Sequence, residues 1–202
     1  TDIAIHKIHF DSRSITNNDV FVAIRGTVSN GHDFIEKAIS LGATAIICDT
    51  FPENLAKEIT YIQVKDTNSA LAFMAANYYE NPSKKLKLVG ITGTNGKTTI
   101  ASLLFQLFKN AGYKVGLLST VKIMVNDEEH KATHTTPDSL TINQYLSEMV
   151  TAGVTHCFME VSSHALSQQR SAGTRFALVG FTNLTQDHLD FHGDMKSYFA
   201  AK

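Results

Sequence analysis

The stretch LVGITGTNGKTTIASLL, residues 88–104, decides the fold of this chain. An apolar run enters a turn that contains Gly93 and Gly96, and Lys-Thr-Thr at 97–99 leads into a second apolar run. Glycines let the backbone turn its N–H groups toward phosphate oxygens, and the N-terminus of a following helix adds a partial positive charge. A lysine at this place reaches the β- and γ-phosphates, and the next hydroxyl holds Mg²⁺. The stretch therefore predicts a strand, a phosphate-binding loop and a helix.

The spacing of this loop departs from the commonest form. In G-x-x-x-x-G-K-[ST] the first glycine would fall at position 91, where this chain has Ile91. The loop is instead TGTNGKTT, residues 92–99. The departure disfavours the common GTPase and kinase classes, and taken alone it names no reaction.

Strand-like and helical segments alternate on both sides of the loop. Glycine closes a helix before an apolar strand three times, at Gly42, Gly112 and Gly153, as suits the left-handed position that ends a helix. The alternation predicts an α/β fold with parallel sheets covered by helices, and ligands at the carboxyl ends of the strands. The predicted strands are 20–26, 43–49, 59–65, 86–92, 114–120, 155–161 and 175–184. The predicted helices are 32–42, 68–80, 97–112, 138–153 and a last one from 193 onward.

The segment NPSKKLK, residues 81–87, is the predicted domain boundary. It joins an Asn-Pro turn to three lysines before the next strand. We expect a small N-terminal α/β domain over 1–84, followed by a P-loop domain with a mainly parallel sheet over 85–202.

Composition excludes several classes of protein. The 202 residues are 43% apolar with a formal net charge of -1, so no basic field favours nucleic acid or an anionic membrane. No apolar run approaches the ~20 residues that span a bilayer, and residues 1–13 lack a signal-peptide pattern. Cys48 and Cys157 lie in apolar strands, which indicates buried thiols in a reducing compartment. We expect a cytoplasmic protein.

Glu160 lies near the end of an apolar strand, in FMEVSSHAL, residues 158–166. A carboxylate in such a place needs a partner, and its position fits a Mg²⁺ ligand opposite Thr98. The alternative is a buried glutamate paired with an arginine. The neighbouring Ser-Ser-His at 162–164 lacks the G-x-S-x-G flanks of a serine nucleophile, so we disfavour a Ser-His hydrolase.

A polar cluster follows in TNLTQDHLDFHG, residues 182–193. Its spacing allows a zinc site, but zinc requires three or four convergent ligands. We favour Mg²⁺ with one histidine ligand. The side chains that could take part are Asp187, His188, Asp190 and His192.

Two further polar segments precede predicted helices or turns. HTTPDS, residues 134–139, could place hydroxyls and free N–H groups on an anionic ligand, or serve as an ordinary helix cap. FDSRS, residues 10–14, could bind a polar ligand or form a capped turn. Lys202, taken alone, is a solvated lysine.

Together these motifs resemble those of the Mur ligases, the ATP-dependent amide-bond-forming enzymes of peptidoglycan synthesis. TGTNGKTT is that family's form of the phosphate loop, which accounts for Ile91. Within the family, the motifs are similar to those of the branch that adds the third residue of the stem peptide. The matching motifs are DSR, TTP, MEVSSHAL with the following QQR, and NLTQDHLDFHGDMKSYFAAK.

The resemblance implies a role for each motif residue. ATP would be bound by Gly93, Thr94, Asn95, Gly96, Lys97, Thr98, Thr99 and Asn183. The muramoyl-dipeptide end of the substrate would be held by Thr135, Thr136, Ser162, Gln168 and Arg170. Ser12 would contact the UDP moiety, and the loop 27–29 would lie near the uracil. One Mg²⁺ would be held by Thr98 and Glu160, and a second by His188 and Lys202, the latter as a CO₂-derived carbamate. The catalytic residues would be Lys97, Glu160, His188 and Lys202.

The sequence also departs from the family pattern. His134 stands where some relatives have Asn before the Thr-Thr pair, so the resemblance carries over to the threonines and assigns no side-chain contact at 134. Family members continue beyond the lysine that matches Lys202, and a third domain recognises the incoming amino acid. The resemblance therefore implies an N-terminal fragment that we expect to be inactive alone.

The implied reaction activates the D-Glu carboxylate of UDP-MurNAc-L-Ala-D-Glu as an acyl phosphate, which meso-diaminopimelate or L-lysine then attacks. The implied partners are this precursor, ATP with Mg²⁺ and a diamino acid. We expect the protein to be a monomer that binds neither nucleic acid nor membranes. Three alternatives stay open: a sister Mur ligase that adds another residue, a P-loop small-molecule kinase, and a fragment that only binds the UDP-linked precursor.

Overall fold

The computed structural model describes residues 4–26, 29–132 and 134–202. The chain divides into two compact units, Thr1–Leu71 and Ala72–Lys202. The division falls inside a helix, and the domain boundary expected after residue 84 stays a prediction. Among the described residues, no helix is both long and apolar enough to cross a membrane.

The first unit is built on a four-stranded sheet in which every neighbouring pair of strands is parallel. The order is β1-β2-β3-β4. A core of apolar residues that includes Phe21, Ile35 and Ile46 lies between the sheet and the first helix. The elements are β1 (Ile8–His9), β2 (Asp19–Val22), α1 (Ile35–Ser40), β3 (Ala43–Cys48), β4 (Thr60–Gln63) and α2 (Thr67–Tyr78), the last of which crosses the division.

Strand β2 is shorter than the predicted strand over 20–26. Beyond Val22 the chain folds back on itself, since the Gly31 N–H donates to the Ile24 carbonyl and Arg25 forms an isolated bridge to Asn30. The apolar character of 20–24 extended the prediction past the point where the chain leaves the sheet.

The second unit is built on a six-stranded sheet in the order β10-β5-β9-β6-β7-β8. The first four strands of that order run parallel, and β7 and β8 pair antiparallel. The elements are β5 (Lys87–Thr92), α3 (Lys97–Asn110), β6 (Val115–Leu118), β7 (Lys122–Val125), β8 (Glu128–Lys131), α4 (Ser139–Thr151), β9 (His156–Glu160), α5 (Ser163–Ser167), β10 (Leu178–Phe181), α6 (Leu189–His192) and α7 (Met195–Ala201).

The α/β fold with parallel sheets is confirmed, and the β7–β8 hairpin is an addition to it. No strand was predicted between residues 121 and 134. The hairpin turns at Asn126, which takes the left-handed conformation with φ 55° that tight hairpin turns favour. The charged residues of β8 concealed the strand from a search for apolar runs.

Apolar side chains cover both faces of the second sheet. Ala101 and Phe105 of α3 pack with Phe158 on one face, and Ile142 and Leu146 of α4 pack into the core on the other. Full burial of a side chain of this size contributes roughly 1.5–3 kcal/mol. Because β5, β6 and β9 are parallel neighbours, their carboxyl ends meet at one edge of the sheet, and the loops after them converge there.

Candidate functional site

The phosphate loop joins β5 to α3 at this carboxyl edge. Gly93 and Gly96 take positive φ values of 134° and 84°. A Cβ at Gly93 would collide with the Thr182 hydroxyl oxygen, so this position requires glycine. Lys97 is the first residue of α3, and its Nζ donates to the carbonyl oxygens of Gly93 at 3.0 Å and Thr94 at 2.7 Å. The ammonium group therefore lies over the loop.

The segment after β10 shapes the same loop. The Asn95 N–H donates to Asn183 Oδ1 at 3.0 Å, and Asn183 Nδ2 donates to the Asn95 carbonyl at 3.1 Å. The Thr94 N–H donates to the Asn183 carbonyl at 2.9 Å. Strand β10 covers only Leu178–Phe181 of the predicted strand 175–184, and after it the side chains of Thr182 and Asn183 bond the Asn95 carbonyl. The structure thus brings Asn183 to the predicted ATP-binding residues.

Glu160 is the last residue of β9 and is fully buried. Its Oε2 accepts a bond from the Thr98 hydroxyl at 2.8 Å. The other bonds that the described residues make to this carboxylate come from Thr120, with the N–H 2.9 Å from Oε1 and the hydroxyl 3.1 Å from Oε2. No arginine is among these partners, so the alternative of a Glu-Arg pair is wrong. A carboxylate and hydroxyls are the hard oxygen donors that suit Mg²⁺.

Thr120 is a site residue that the sequence did not single out. It closed the predicted strand 114–120, where it looked like an ordinary β-branched residue. The available signal was its place directly after an apolar strand, at the edge where parallel strands present ligand-binding groups.

A second cluster lies next to Glu160 along the chain. The Thr136 hydroxyl donates to the Glu160 carbonyl at 2.9 Å and accepts from the Ser162 N–H at 3.0 Å. Arg170 Nη1 donates to the Thr136 carbonyl at 2.6 Å, and its Nε donates to Gln168 Oε1 at 2.9 Å. Burial lowers the pKa of Arg170. Four of the five residues predicted to hold the muramoyl-dipeptide end therefore form one network, and the fifth, Thr135, is the half-buried neighbour of Thr136.

The serine and histidine in MEVSSHAL do not form a nucleophile pair. Ser162 Oγ accepts from the Ala165 N–H and caps α5. The His164 ring packs instead against Phe191, at 4.1 Å between centroids, and against His188 at 4.8 Å. This geometry agrees with the sequence argument against a Ser-His hydrolase.

His188 and Lys202 both lie near the ring of Tyr198. The His188 ring centroid is 6.3 Å from that of Tyr198, and Lys202 Nζ is 4.9 Å from the same ring. Lys202 Nζ also donates to the Gly93 carbonyl at 2.6 Å. Burial, followed by the nearby charge of Lys97, lowers the pKa of Lys202 to about 8.

The zinc alternative for the cluster after β10 is not supported. Across the described part of the chain, no three His, Cys, Asp or Glu side chains are placed to hold a metal ion. The four candidates, Asp187, His188, Asp190 and His192, include a histidine whose ring packs edge-on against other rings. A second Mg²⁺ held by His188 and Lys202 stays a prediction.

The first unit contains a separate cleft of about 470 Å³ beside the DSR motif. Ser12 is buried in its wall, and Asp11 and Arg13 form an ion pair at 2.6 Å that, with the Arg13 hydrogen bonds, lowers the pKa of Asp11 to about 2. Lys37 and Ser29 also line this cleft. Thr27 and Val28 of the predicted uracil loop lie outside the described residues.

Comparisons with known sequences agree with the motifs. Residues 91–202 match the family model described as Mur ligase middle domain, and residues 4–79 match that described as Mur ligase family, catalytic domain. The UDP-N-acetylmuramoyl-L-alanyl-D-glutamate--2,6-diaminopimelate ligases of Cytophaga hutchinsonii and Bacteroides fragilis are 52% and 50% identical to the chain, and each alignment covers 100% of it. The chain spans 42% and 41% of the length of these two curated relatives.

Comparisons with solved structures give the same result. A structure of a UDP-N-acetylmuramoyl-L-alanyl-D-glutamate--2,6-diaminopimelate ligase matches with a TM-score of 0.82 and 26% identity, over 98% of this chain and 40% of that one. The MurF ligase from Thermotoga maritima, solved with ADP, matches with a TM-score of 0.57 and 22% identity, over 100% of this chain and 43% of that one. The second likeness shows a shared fold.

Proposed function

This chain belongs to the Mur ligase family, and from that premise we propose that it carries the nucleotide-binding and carboxylate-activating part of an ATP-dependent amide-bond ligase. The substrates are UDP-N-acetylmuramoyl-L-alanyl-D-glutamate and 2,6-diaminopimelate. The observation that carries the proposal is 52% identity, over the whole chain, to a protein named for that reaction. The same relatives favour diaminopimelate over lysine, a choice that the sequence alone left open.

The reaction has two steps. An oxygen of the D-glutamate side-chain carboxylate attacks the γ-phosphorus of ATP, the bond from that phosphorus to the bridging oxygen breaks, and ADP leaves. The amine of the diamino acid then attacks the carbonyl carbon of the acyl phosphate. The carbon–oxygen bond breaks, phosphate leaves, and the amine nitrogen loses a proton as the amide forms.

The phosphate loop would contribute to catalysis by positioning the phosphates of ATP and by offsetting their charge. The residues Gly93–Thr99 would surround the phosphates, and Asn183 holds the loop in shape through its bonds to Asn95. Lys97 would exchange its bonds to the loop carbonyls for bonds to phosphate oxygens and offset the charge at the transferring group. Such contributions account for most of the catalysis in phosphoryl transfer.

The residues around Glu160 fit a magnesium ion. Within the part of the chain that the structure describes, this fully buried carboxylate is bonded by two hydroxyls and one N–H and forms no ion pair, and Thr98 supplies a second oxygen donor. When bound there, Mg²⁺ neutralises part of the phosphate charge. Glu160 and Thr98 would hold it.

Lys202, as a carbamate, would be a ligand of a second Mg²⁺. Its lowered pKa leaves a larger neutral fraction than an ordinary lysine has, and the neutral amine is the form that reacts with CO₂. The product would be an anionic oxygen ligand, which with His188 would hold a second Mg²⁺.

The remaining motifs bind the UDP-linked precursor. The network of Thr136, Ser162, Gln168 and Arg170, with Thr135 beside it, would hold the muramoyl-dipeptide end. Ser12 and its cleft would take the UDP moiety. We place the enzyme in the cytoplasm, as a monomer, with a domain boundary after residue 84.

A ligase assay on the full-length protein tests this proposal. The protein is incubated with ATP, Mg²⁺, the UDP-linked dipeptide and either diaminopimelate or lysine, and ADP and the UDP-linked tripeptide are measured. We expect both products with diaminopimelate, and neither from a Lys97→Met variant. Turnover on UDP-muramoyl-alanine instead would indicate a sister ligase, and a stable phosphorylated product without added amine would indicate a kinase. Binding of the UDP-linked dipeptide without any ADP formation would leave a protein that only binds the precursor.

A further inference from the structure

We propose that Thr120 is a positioning residue that orients the Glu160 carboxylate for the metal ion. The inference rests on the proposed function in one respect, that Glu160 and Thr98 hold Mg²⁺. It goes beyond that function by giving Thr120 a role that no motif indicated.

Glu160 needs donors because it is fully buried. An ionised carboxylate removed from water is stable only when its oxygens are paired. The described residues make three hydrogen bonds to its side chain, of which Thr98 supplies one and Thr120 supplies two. Thr120 therefore satisfies more of this buried carboxylate's hydrogen-bonding capacity than Thr98 does.

The two bonds from Thr120 go to different oxygens. Its N–H points at Oε1, and its hydroxyl points at Oε2, the oxygen that also accepts from Thr98. A carboxylate bonded in this way at both oxygens cannot turn freely about its last torsion. The arrangement keeps Glu160 Oε2 directed at the Thr98 hydroxyl, so that Oε2 and the hydroxyl oxygen could ligate the same ion.

The backbone around Thr120 is itself fixed. Ser119 Oγ donates to the Lys122 carbonyl at 2.8 Å, and the Lys122 N–H donates to Ser119 Oγ at 3.2 Å. These bonds close the turn between β6 and β7, and the Thr120 N–H is held in place within it. Strand β7, which the sequence did not predict, therefore matters at the site, because its first residue, Lys122, closes the turn that presents Thr120 to Glu160.

Two effects of losing the hydroxyl have opposite signs. With one hydrogen-bond donor fewer, the Glu160 carboxylate would attract Mg²⁺ more strongly. Without the bond that orients it, however, the carboxylate would turn away from the position in which it ligates the ion, and Mg²⁺ binding would weaken. Replacing the hydrogen-bond partners of metal ligands typically weakens metal binding about 10–100-fold, so we expect the loss of orientation to dominate.

The test measures how strongly Mg²⁺ and ADP promote each other's binding. The ADP dissociation constant of the full-length protein is determined by calorimetry in excess EDTA and again in saturating Mg²⁺. The coupling factor is the dissociation constant in EDTA divided by that in Mg²⁺. We expect Thr120→Val to lower this ratio about tenfold or more, with the dissociation constant in EDTA unchanged. Thr120→Ser, which keeps the hydroxyl, should restore the ratio.

Two further variants serve as controls for this test. Thr155→Val is the matched control, because its hydroxyl bonds the Lys114 carbonyl, at the amino end of the same strand β9. Thr120→Ala replaces the valine variant if that one fails to fold, and Thr120 is exposed, so neither change disturbs the core. An unchanged or raised ratio in the valine or alanine variant overturns the inference, as does an equal loss of ADP affinity in EDTA.

The outcome is independent of the ligase assay. No UDP-linked precursor or amine is present in the calorimetry, so a protein without ligase activity can still show the loss of coupling. Conversely, an active ligase whose Thr120→Val variant keeps its Mg²⁺ coupling would contradict only the role of Thr120.

Discussion

Lys97 and Lys202 donate to the same acceptor, the carbonyl oxygen of Gly93, at 3.0 Å and 2.6 Å. The two ammonium groups lie 105 positions apart in the sequence and share one point of the phosphate loop. Their mutual repulsion adds to the effect of burial and lowers the pKa of Lys202 from 10.5 to about 8. The loop therefore places two lysines at one carbonyl oxygen, and Lys202 is the one whose pKa is lowered.

The lowered pKa predicts how stability changes with pH. Between about pH 8 and 10.5 the unfolded chain binds a proton at position 202 that the folded chain has released, so the free energy of unfolding rises with pH. Lys202→Met removes this dependence. Relative to the variant, the wild-type chain should gain stability as the pH rises through this window, and should be at its greatest disadvantage below pH 8. Urea unfolding at a series of pH values measures the difference, with the exposed Lys196→Met as the control, and a difference independent of pH would count against the shift.

Alanine substitutions at two glycines distinguish the cost of a strained backbone from the cost of a steric clash. Gly93→Ala combines a positive φ of 134° with a Cβ that meets the Thr182 hydroxyl, so we expect a loss of about 3 kcal/mol or more in unfolding free energy. Gly112→Ala has a φ of 88°, but the new Cβ would meet no described residue within 4 Å beyond its chain neighbours, so this change should lose only about 1 kcal/mol. Equal losses in denaturant unfolding would show that the contact with Thr182 is unimportant.

Arg170 should affect the UDP-linked precursor and leave ATP binding unchanged. Its fork bonds the Thr136 carbonyl and Gln168 together, and lysine keeps the charge but not that geometry. We expect Arg170→Lys to weaken binding of the UDP-linked dipeptide about tenfold, from the loss of one charged hydrogen bond. Calorimetry with the dipeptide and, separately, with ADP measures both effects. A matching fall in ADP affinity would mean that the variant disturbs the whole carboxyl edge.

The sequence predicted most of the fold because its signals are local. TGTNGKTT fixes a strand, a loop and a helix together, and glycines close three helices before apolar strands. The β7–β8 hairpin escaped because its second strand is charged and exposed, so apolar periodicity is absent there.

The site was harder to predict wherever it depends on the order of strands. Glu160 reaches Thr120 because β9 lies between β5 and β6, an order that no local pattern encodes. Likewise, the Thr94 hydroxyl bonds the Tyr198 hydroxyl at 3.0 Å across 104 positions. The residues found from sequence are those with a motif of their own, and those missed act only through a neighbour that the fold supplies.

The central claim is that ATP activates a carboxylate, and one isotope measurement tests it most directly. The full-length protein is given UDP-N-acetylmuramoyl-L-alanyl-D-glutamate labelled with oxygen-18 in the D-glutamate side-chain carboxylate, together with ATP, Mg²⁺ and diaminopimelate. Because the attacking oxygen stays on phosphorus when the amide forms, each phosphate released should contain one labelled oxygen by mass spectrometry. Phosphate without label, or label found in AMP, would contradict transfer of the γ-phosphoryl group to the carboxylate.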